Sequence, residues 1–191
     1  MKITKQVVRC PWCVGNDIYE QYHDKEWGVP IHDDKKHFEF LLLETMQAGL
    51  SWLTILKRRE NYRRAFANFD PKFVSQFDAV RIEKLMQDAG IIRNRRKIEA
   101  AVTNAVKFLE VQAQHGSFDK FIWHFTDGKI VKNSWTNISQ VNPTTELSDL
   151  VAKELKKIGF KFVGSTTIYA HLQAIGVVND HLVDCFRYHE V

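Results

Sequence analysis

The sequence predicts an all-α fold. Three observations carry that expectation. Apolar residues recur at helical spacing in one stretch after another. Capping residues and glycine or proline breakers bracket most of those stretches. No group of segments shows the period-two alternation of a half-buried sheet. The 191 residues suit a single domain, 1–191, with a core of ordinary size. Hydrophobic content of 45% and charged content of 26% fit a globular protein. No apolar run reaches the roughly 18 residues of a membrane span, so no membrane partner is expected. MKITKQVVRCPW has no apolar core of a secretory leader. A net charge of +4 is compatible with nucleic acid but does not by itself point to it.

Taken in order, residues 1–30 are rich in Trp, Tyr, Cys and His, with Tyr19, Tyr22 and His23 at helical spacing behind Asp17 as a cap. Gly28-Val29-Pro30 closes this segment as a turn. Asp33 or Asp34 caps the next helix. Its stretch Phe38 to Trp52 is largely apolar and sets the carboxylate Glu44 among apolar residues, in a row with Phe40 and Ala48 and beside Gln47. Gly49 ends or bends it. A helix from Ser51 to Phe66 follows, with Lys57, Arg58, Arg59, Arg63 and Arg64 as a solvated basic face or as phosphate contacts. Asp70-Pro71 opens another helix, and Asp78 to Asp88 reads as a further one. Ile91 through Gln114 reads as a long amphipathic helix stopped at His115-Gly116. Residues 117–145 are less regular and read as a short helix and a loop, with a small hairpin as the alternative. Thr144 or Thr145 starts a helix, Ser148 to Lys157, a glycine-bracketed hairpin covers 158–164, and a helix runs from Ser165 to Ile175.

Three constellations carry chemistry. A buried carboxylate is costly without donors, so Glu44 is either salt-bridged in the core or the floor of a pocket. Trp12, Tyr19, Tyr22, Trp27 and Trp52 are the aromatic residues to wall such a pocket, which would suit a planar cation or an electron-poor base. Second, His181 and Cys185 stand at i and i+4, placing two ligands on one helix face. Cys10 and His23 would complete a tetrahedral zinc site tying the two ends of the chain together. Four protein ligands leave no position for water, so that zinc would be structural rather than hydrolytic. The alternative is unrelated thiols and ordinary histidines, and Cys13 is a competing ligand. Third, the 158–164 turn, with Lys156, Lys157 and Lys161 nearby and Ser165, Thr166 and Thr167 after it, offers backbone and hydroxyl donors to a phosphate. The alternative there is an ordinary helix–helix connection.

The runs YHDKEWGVP (22–30), QAGLSWLTILKRRENYRRAF (47–66), DAGIIRNRRKI (88–98), KKIGFKFVGSTTIY (156–169) and GVVNDHLVDC (176–185) resemble the type I 3-methyladenine DNA glycosylase family, of the helix-hairpin-helix DNA-repair superfamily. The resemblance covers nearly the whole chain in order. It implies a helix-hairpin-helix domain whose N- and C-terminal segments are joined by one structural zinc ion on Cys10, His23, His181 and Cys185. It puts the catalytic pocket at Glu44, Tyr22 and Trp52, with Trp12, Tyr19 and Trp27 around the base. It puts Lys161, Gly164, Ser165 and Thr166 against the DNA backbone and Leu50 in the gap left by a flipped nucleotide. The activity implied is monofunctional base excision from double-stranded alkylated DNA, releasing 3-methyladenine, in the bacterial cytoplasm at the nucleoid; a monomer is the default expectation, with no feature that forces it. No lyase step is expected, because no lysine occupies a nucleophile position. Asp180 lies near the place where many superfamily members keep an Asp that assists water. A zinc-stabilised module that binds DNA or nucleotides without catalysis is the other reading.

Overall fold

The computed structural model describes residues 7–191, so the leader-free reading of the N-terminus falls in part on residues outside those described. Among the described residues ten α-helices run in chain order: α1 (Asp17–Lys25), α2 (Asp34–Gln47), α3 (Trp52–Leu56), α4 (Arg59–Ala65), α5 (Pro71–Val74), α6 (Ala79–Gln87), α7 (Arg95–His115), α8 (Phe118–Trp123), α9 (Glu146–Ile158) and α10 (Ser165–Ala174). Side-chain caps start most of them: Asn16 for α1, Asp33 for α2, Ser51 for α3, Asp70 before Pro71 for α5, and Thr145 for α9. Asn16, not Asp17, therefore opens α1. Asp34 does not cap α2; it reaches across to accept from Gln112 Nε2 and from the backbone N–H groups of Phe118 and Asp119, fixing α8 against α2. Among the described residues no helix is long and apolar enough to cross a membrane.

The core is organised around α2. Every residue from His37 to Met46 is buried, as expected of a helix packed on all sides. It touches α3, α7, α8 and α10. Two acids, Glu39 and Glu44, are thus carried into the interior on one helix.

Several boundaries differ from expectation. α2 stops at Gln47, and Trp52 begins α3, because Ala48 leaves helical geometry and Gly49 takes φ +78°. The expected 51–66 helix is broken at Lys57 and Arg58 into α3 and α4. Its basic face is only partly solvated. Arg59 and Arg63 pair with the buried Glu39, and Arg59 also with Glu26. α7 starts at Arg95, because Asn94 caps it through Lys97 N–H and Tyr62 Oη accepts from Ile92 N–H ahead of it. The 117–145 region holds α8 and also a two-residue strand, β1 (Val131–Lys132), paired in parallel with β2 (Val178–Asn179). Strands that short show no alternation to read.

The 158–164 segment is a turn without paired strands. Gly159 ends α9 in the left-handed region at φ 111°, and Gly164 caps α10. Buried Asn104 of α7 pins this turn from both sides. Its Oδ1 accepts from Lys161 N–H at 2.7 Å, and its Nδ2 donates to Lys161 O at 3.0 Å. Residues 181–185 are not helical either; they form a turn closed by Cys185 N–H on Leu182 O at 2.8 Å.

The N- and C-terminal segments meet. Gly28 N–H donates to Gln173 O, Ile31 N–H to Ile175 O, and Phe186 N–H to Val8 O, at 3.0–3.1 Å. Gly176 lies against the Val29–Pro30 backbone so closely that a Cβ would come within 2.4 Å of it.

Candidate active site

A cavity of about 300 Å³ opens between the two halves of the chain. Trp12, Tyr22, Trp27, Glu44, Gln47 and Trp52 line it from the N-terminal side, and Ile138, Val141, Ala170, Gln173 and Asp180 from the other. Its size suits one nucleobase-scale ligand at the lower end of the usual range. The aromatic rings are mutually tilted. Tyr22 and Trp52 stand 5.5 Å apart at 55°, and Trp12 and Trp27 stand 5.1 Å apart at 77°. Tyr22 is also backed by Phe40 at 6.4 Å.

Glu44 is 3% exposed, and no donor among the described residues reaches its carboxylate. Burial alone pushes its pKa up to about 8. Glu39, little more than a turn earlier, is as deeply buried and titrates in the opposite direction. Burial would raise it too, but the Arg59 charge and the bonds from Lys36 and Arg59 bring it below the ordinary value. One helix thus holds an ion-paired structural carboxylate and an unpartnered acid facing a cavity. Burial, with Glu44 nearby, raises the Tyr22 hydroxyl well above its usual value, so it stays a protonated donor.

Of the expected pocket residues, Glu44, Tyr22, Trp52, Trp12 and Trp27 come together. Tyr19 does not line the cavity. Its Oη accepts from Leu53 N–H at 2.9 Å and its ring packs edge-on to Trp12 at 5.5 Å, so it supports the wall from behind. Gln173, Ile138, Val141 and Ala170 went unread in the sequence. They come from a loop and from α10, with no motif to mark them.

Asp180 is buried, and its oxygens already have four donors. Asn133 Nδ2 and Trp135 Nε1 each donate to Oδ1 at 2.7 Å, Gln173 Nε2 donates to Oδ2 at 2.6 Å, and Tyr169 Oη donates to the same atom.

Cys10, His23, His181 and Cys185 are all buried, and one ligand atom from each lies within 4.8 Å of the others. His181 Nδ1 is 3.7 Å from Cys10 Sγ and 3.5 Å from Cys185 Sγ, and His23 Nε2 is 3.4 Å from Cys185 Sγ. Two ligands of one tetrahedral zinc, at about 2.3 Å for sulfur and about 2.0 Å for nitrogen, stand roughly 3.5 Å apart. The ring nitrogens facing away are held as metal-binding histidines are usually held. His23 Nδ1 bonds Asp24 Oδ1 at 2.8 Å, and Arg9 in turn donates to Asp24. His181 Nε2 bonds Trp27 O at 3.1 Å. The two thiols share one charge. Contact with Cys185, reinforced by burial, raises Cys10, whereas contact with Cys10 lowers Cys185. A divalent cation would let both ionise. Donor set and spacing therefore fit such an ion. Cys13 is turned away: its Sγ donates to Cys10 O at 3.1 Å, and burial pushes its thiol up to about 11.

The residues expected to contact DNA are exposed or partly exposed. Leu50 is exposed on the turn after α2. Lys161 and Thr166 are exposed around the 158–164 turn, and Gly164 is partly exposed. The Ser165 hydroxyl is engaged internally with Ser148 Oγ at 2.8 Å.

The chain is similar to known proteins over nearly its whole length. The model of a family described as methyladenine glycosylase matches residues 12–188. A DNA-3-methyladenine glycosylase of Haemophilus influenzae is 48% identical over 177 residues, covering 93% of this chain and 96% of its own. A crystal structure of a 3-methyladenine DNA glycosylase I superposes with TM-score 0.91 at 46% identity, covering 94% of this chain and 98% of its own. The Staphylococcus aureus glycosylase I, in a structure concerned with 3-methyladenine recognition, superposes with TM-score 0.90 at 39% identity over 93% of this chain and 95% of its own.

Proposed function

The chain belongs to the methyladenine glycosylase family, and from that premise we infer that the cavity beside Glu44 receives 3-methyladenine turned out of alkylated DNA. The reaction is hydrolysis of the N-glycosidic bond, the first step of base excision repair. Methylation at N3 makes the base cationic while it is still attached to deoxyribose. Its bond to the sugar is already weak, so the protein has to extrude the base, remove its water and hold it. Trp52 and Tyr22 offer faces for the ring. Glu44 accepts from the N6 amino edge and supplies the negative charge. The C–N bond breaks with its electron pair leaving on the base, and water oxygen bonds the anomeric carbon and gives up a proton to solvent.

The observation that carries this reading is a carboxyl group buried without a partner against an aromatic cavity. With its pKa near 8, Glu44 stands close to ionisation at neutral pH, and an arriving cation tips it to the carboxylate. Neutral adenine offers no such charge, and a buried acid left unpaired disfavours it. Asp180, with four internal donors, is an anchor for Gln173 and Trp135 rather than a free base.

We assign Cys10, His23, His181 and Cys185 to one structural zinc ion. With four protein ligands the ion holds the two end segments together and takes no part in hydrolysis. We read α9, the 158–164 turn and α10 as a helix-hairpin-helix element, with Lys161, Gly164 and Thr166 at the phosphates of double-stranded DNA and Ser165 behind them. Leu50 fills the space vacated by the base. The chain acts as one domain and as a monomer in the compartment that holds the DNA. A purely binding, non-catalytic module has no observation in its favour.

The test is incubation with methylated DNA followed by identification of released free base. Free 3-methyladenine is expected from the natural protein and not from Glu44→Gln. If that variant keeps both base binding and release, Glu44 is not the recognition group.

A further inference from the structure

We propose that Lys97 is a positioning residue for base extrusion: its buried ammonium fastens the turn carrying Leu50 to the end of α2. The proposal rests on the reading of Leu50 as the side chain that enters the duplex.

Lys97 lies in the first turn of α7 and is 5% exposed. Its Nζ donates to Met46 O at 2.8 Å and to Ala48 O at 2.6 Å. No carboxylate pairs with it among the described residues. The last carbonyls of a helix have no intrahelical partner and sit at the negative end of its dipole. These carbonyls therefore stabilise a cation that would otherwise be costly to bury.

Apart from Lys97, the hydrogen bonds that hold the turn are local. Ala48 leaves the helix at ψ 116° and Gly49 takes φ +78°. Leu50 N–H donates to Gln47 O at 2.7 Å, and Gln47 Nε2 donates to Leu50 O at 3.0 Å. Lys97 is the one side chain from outside that hydrogen-bonds residues 46–50 among the described residues. A side chain pressed between stacked bases meets resistance of a few kcal/mol per step. A turn closed only on itself would recoil from that load, whereas one tied to the long helix α7 transmits it. Glu44 and Gln47, on the final turn of α2, face the cavity. The same ammonium thus keeps the duplex-facing turn in register with the recognition acid.

The experiment compares Lys97→Met, Lys97→Arg and Leu50→Ala with the natural protein. Single-turnover release of 3-methyladenine from methylated duplex DNA is measured beside binding of free 3-methyladenine, followed by tryptophan fluorescence. Lys97→Met is expected to slow release by about tenfold or more while leaving free-base binding within about twofold. Lys97→Arg, which keeps the charge and the donors, is expected to restore part of the rate. If Lys97→Met folds poorly, Lys97→Gln is read on the same two assays. Release at the natural rate, or equal loss of release and free-base binding, overturns the proposal. Leu50→Ala separates the premises. If it is slow while Lys97→Met is normal, only the lysine's role fails. If Leu50→Ala itself releases base at the natural rate, the reading of Leu50 fails and the proposal fails with it.

Discussion

At the scale of single residues, Glu44 sets the terms. A carboxyl whose folded pKa lies above its unfolded one holds its proton more tightly when folded. The cost of ionising it is absent below the unfolded value, grows as pH rises through the interval, and is complete above the folded value. Between the ordinary 4.5 and about 8, that cost reaches at most roughly 5 kcal/mol. Glu44→Gln is therefore expected to abolish excision while stabilising the fold increasingly from pH 5 to pH 8. Thermal unfolding of both proteins across that range checks it, and a constant difference in Tm would refute it. Glu44 was legible in the sequence because an acid set behind three leucines in a helix demands an explanation. Glu39 drew no notice, although it is buried as deeply. Its partners Arg59 and Arg63 looked like a solvated basic face, because the fold that turns them inward is not written in their spacing.

At the scale of elements, caps and breakers were the readable signals. Asp33, Asp70, Asp78 and Thr145 start helices where their types suggest. Expectation failed where structure depends on contacts distant in sequence. The two-residue β1–β2 ladder and the non-helical 181–185 turn have no periodic signature. The i, i+4 argument for His181 and Cys185 was mistaken in its geometry, yet the two side chains still converge, through a tight turn. The contact of Gly176 with the Val29–Pro30 backbone is of the same kind. Gly176 has φ +74° and no room for a Cβ, so Gly176→Ala adds backbone strain to a backbone clash. It is expected to destabilise by about 2 kcal/mol or more, measured by denaturant unfolding. Excision should fall with folded population rather than through KM.

At the scale of the molecule, two buried ionisable groups bracket the pH of greatest stability. His171 is fully buried, and burial pushes it down to about 3. Its neutral form is built into the fold, so its contribution is complete above the ordinary 6.5 and is lost as pH falls toward the folded value. Glu44 acts in the opposite direction above about 4.5. These two groups alone place the optimum between those values. His171→Leu should flatten the acid limb of a Tm–pH curve and leave the alkaline limb unchanged. DNA affinity should fall steeply with salt if exposed Lys156, Lys157 and Lys161 meet phosphates. Removing one of them should reduce the slope of log affinity against log salt by about one. Asp24→Asn, which weakens the support of His23, should lower zinc affinity by about 10–100-fold, read by competition with a chromogenic chelator.

The Cys10–His23–His181–Cys185 cluster touches the cavity through chain adjacency. Trp12 is two residues from Cys10, Tyr22 precedes His23, and Asp180 precedes His181. A ribosome makes the first pair of these ligands long before the second. During synthesis the tryptophan-rich half of the chamber must therefore wait, open on one side, for its closing strap. Every residue lining the chamber precedes His181, so a nascent chain stalled there would carry all of its walls but lack the two C-terminal ligands that tie the chain ends together.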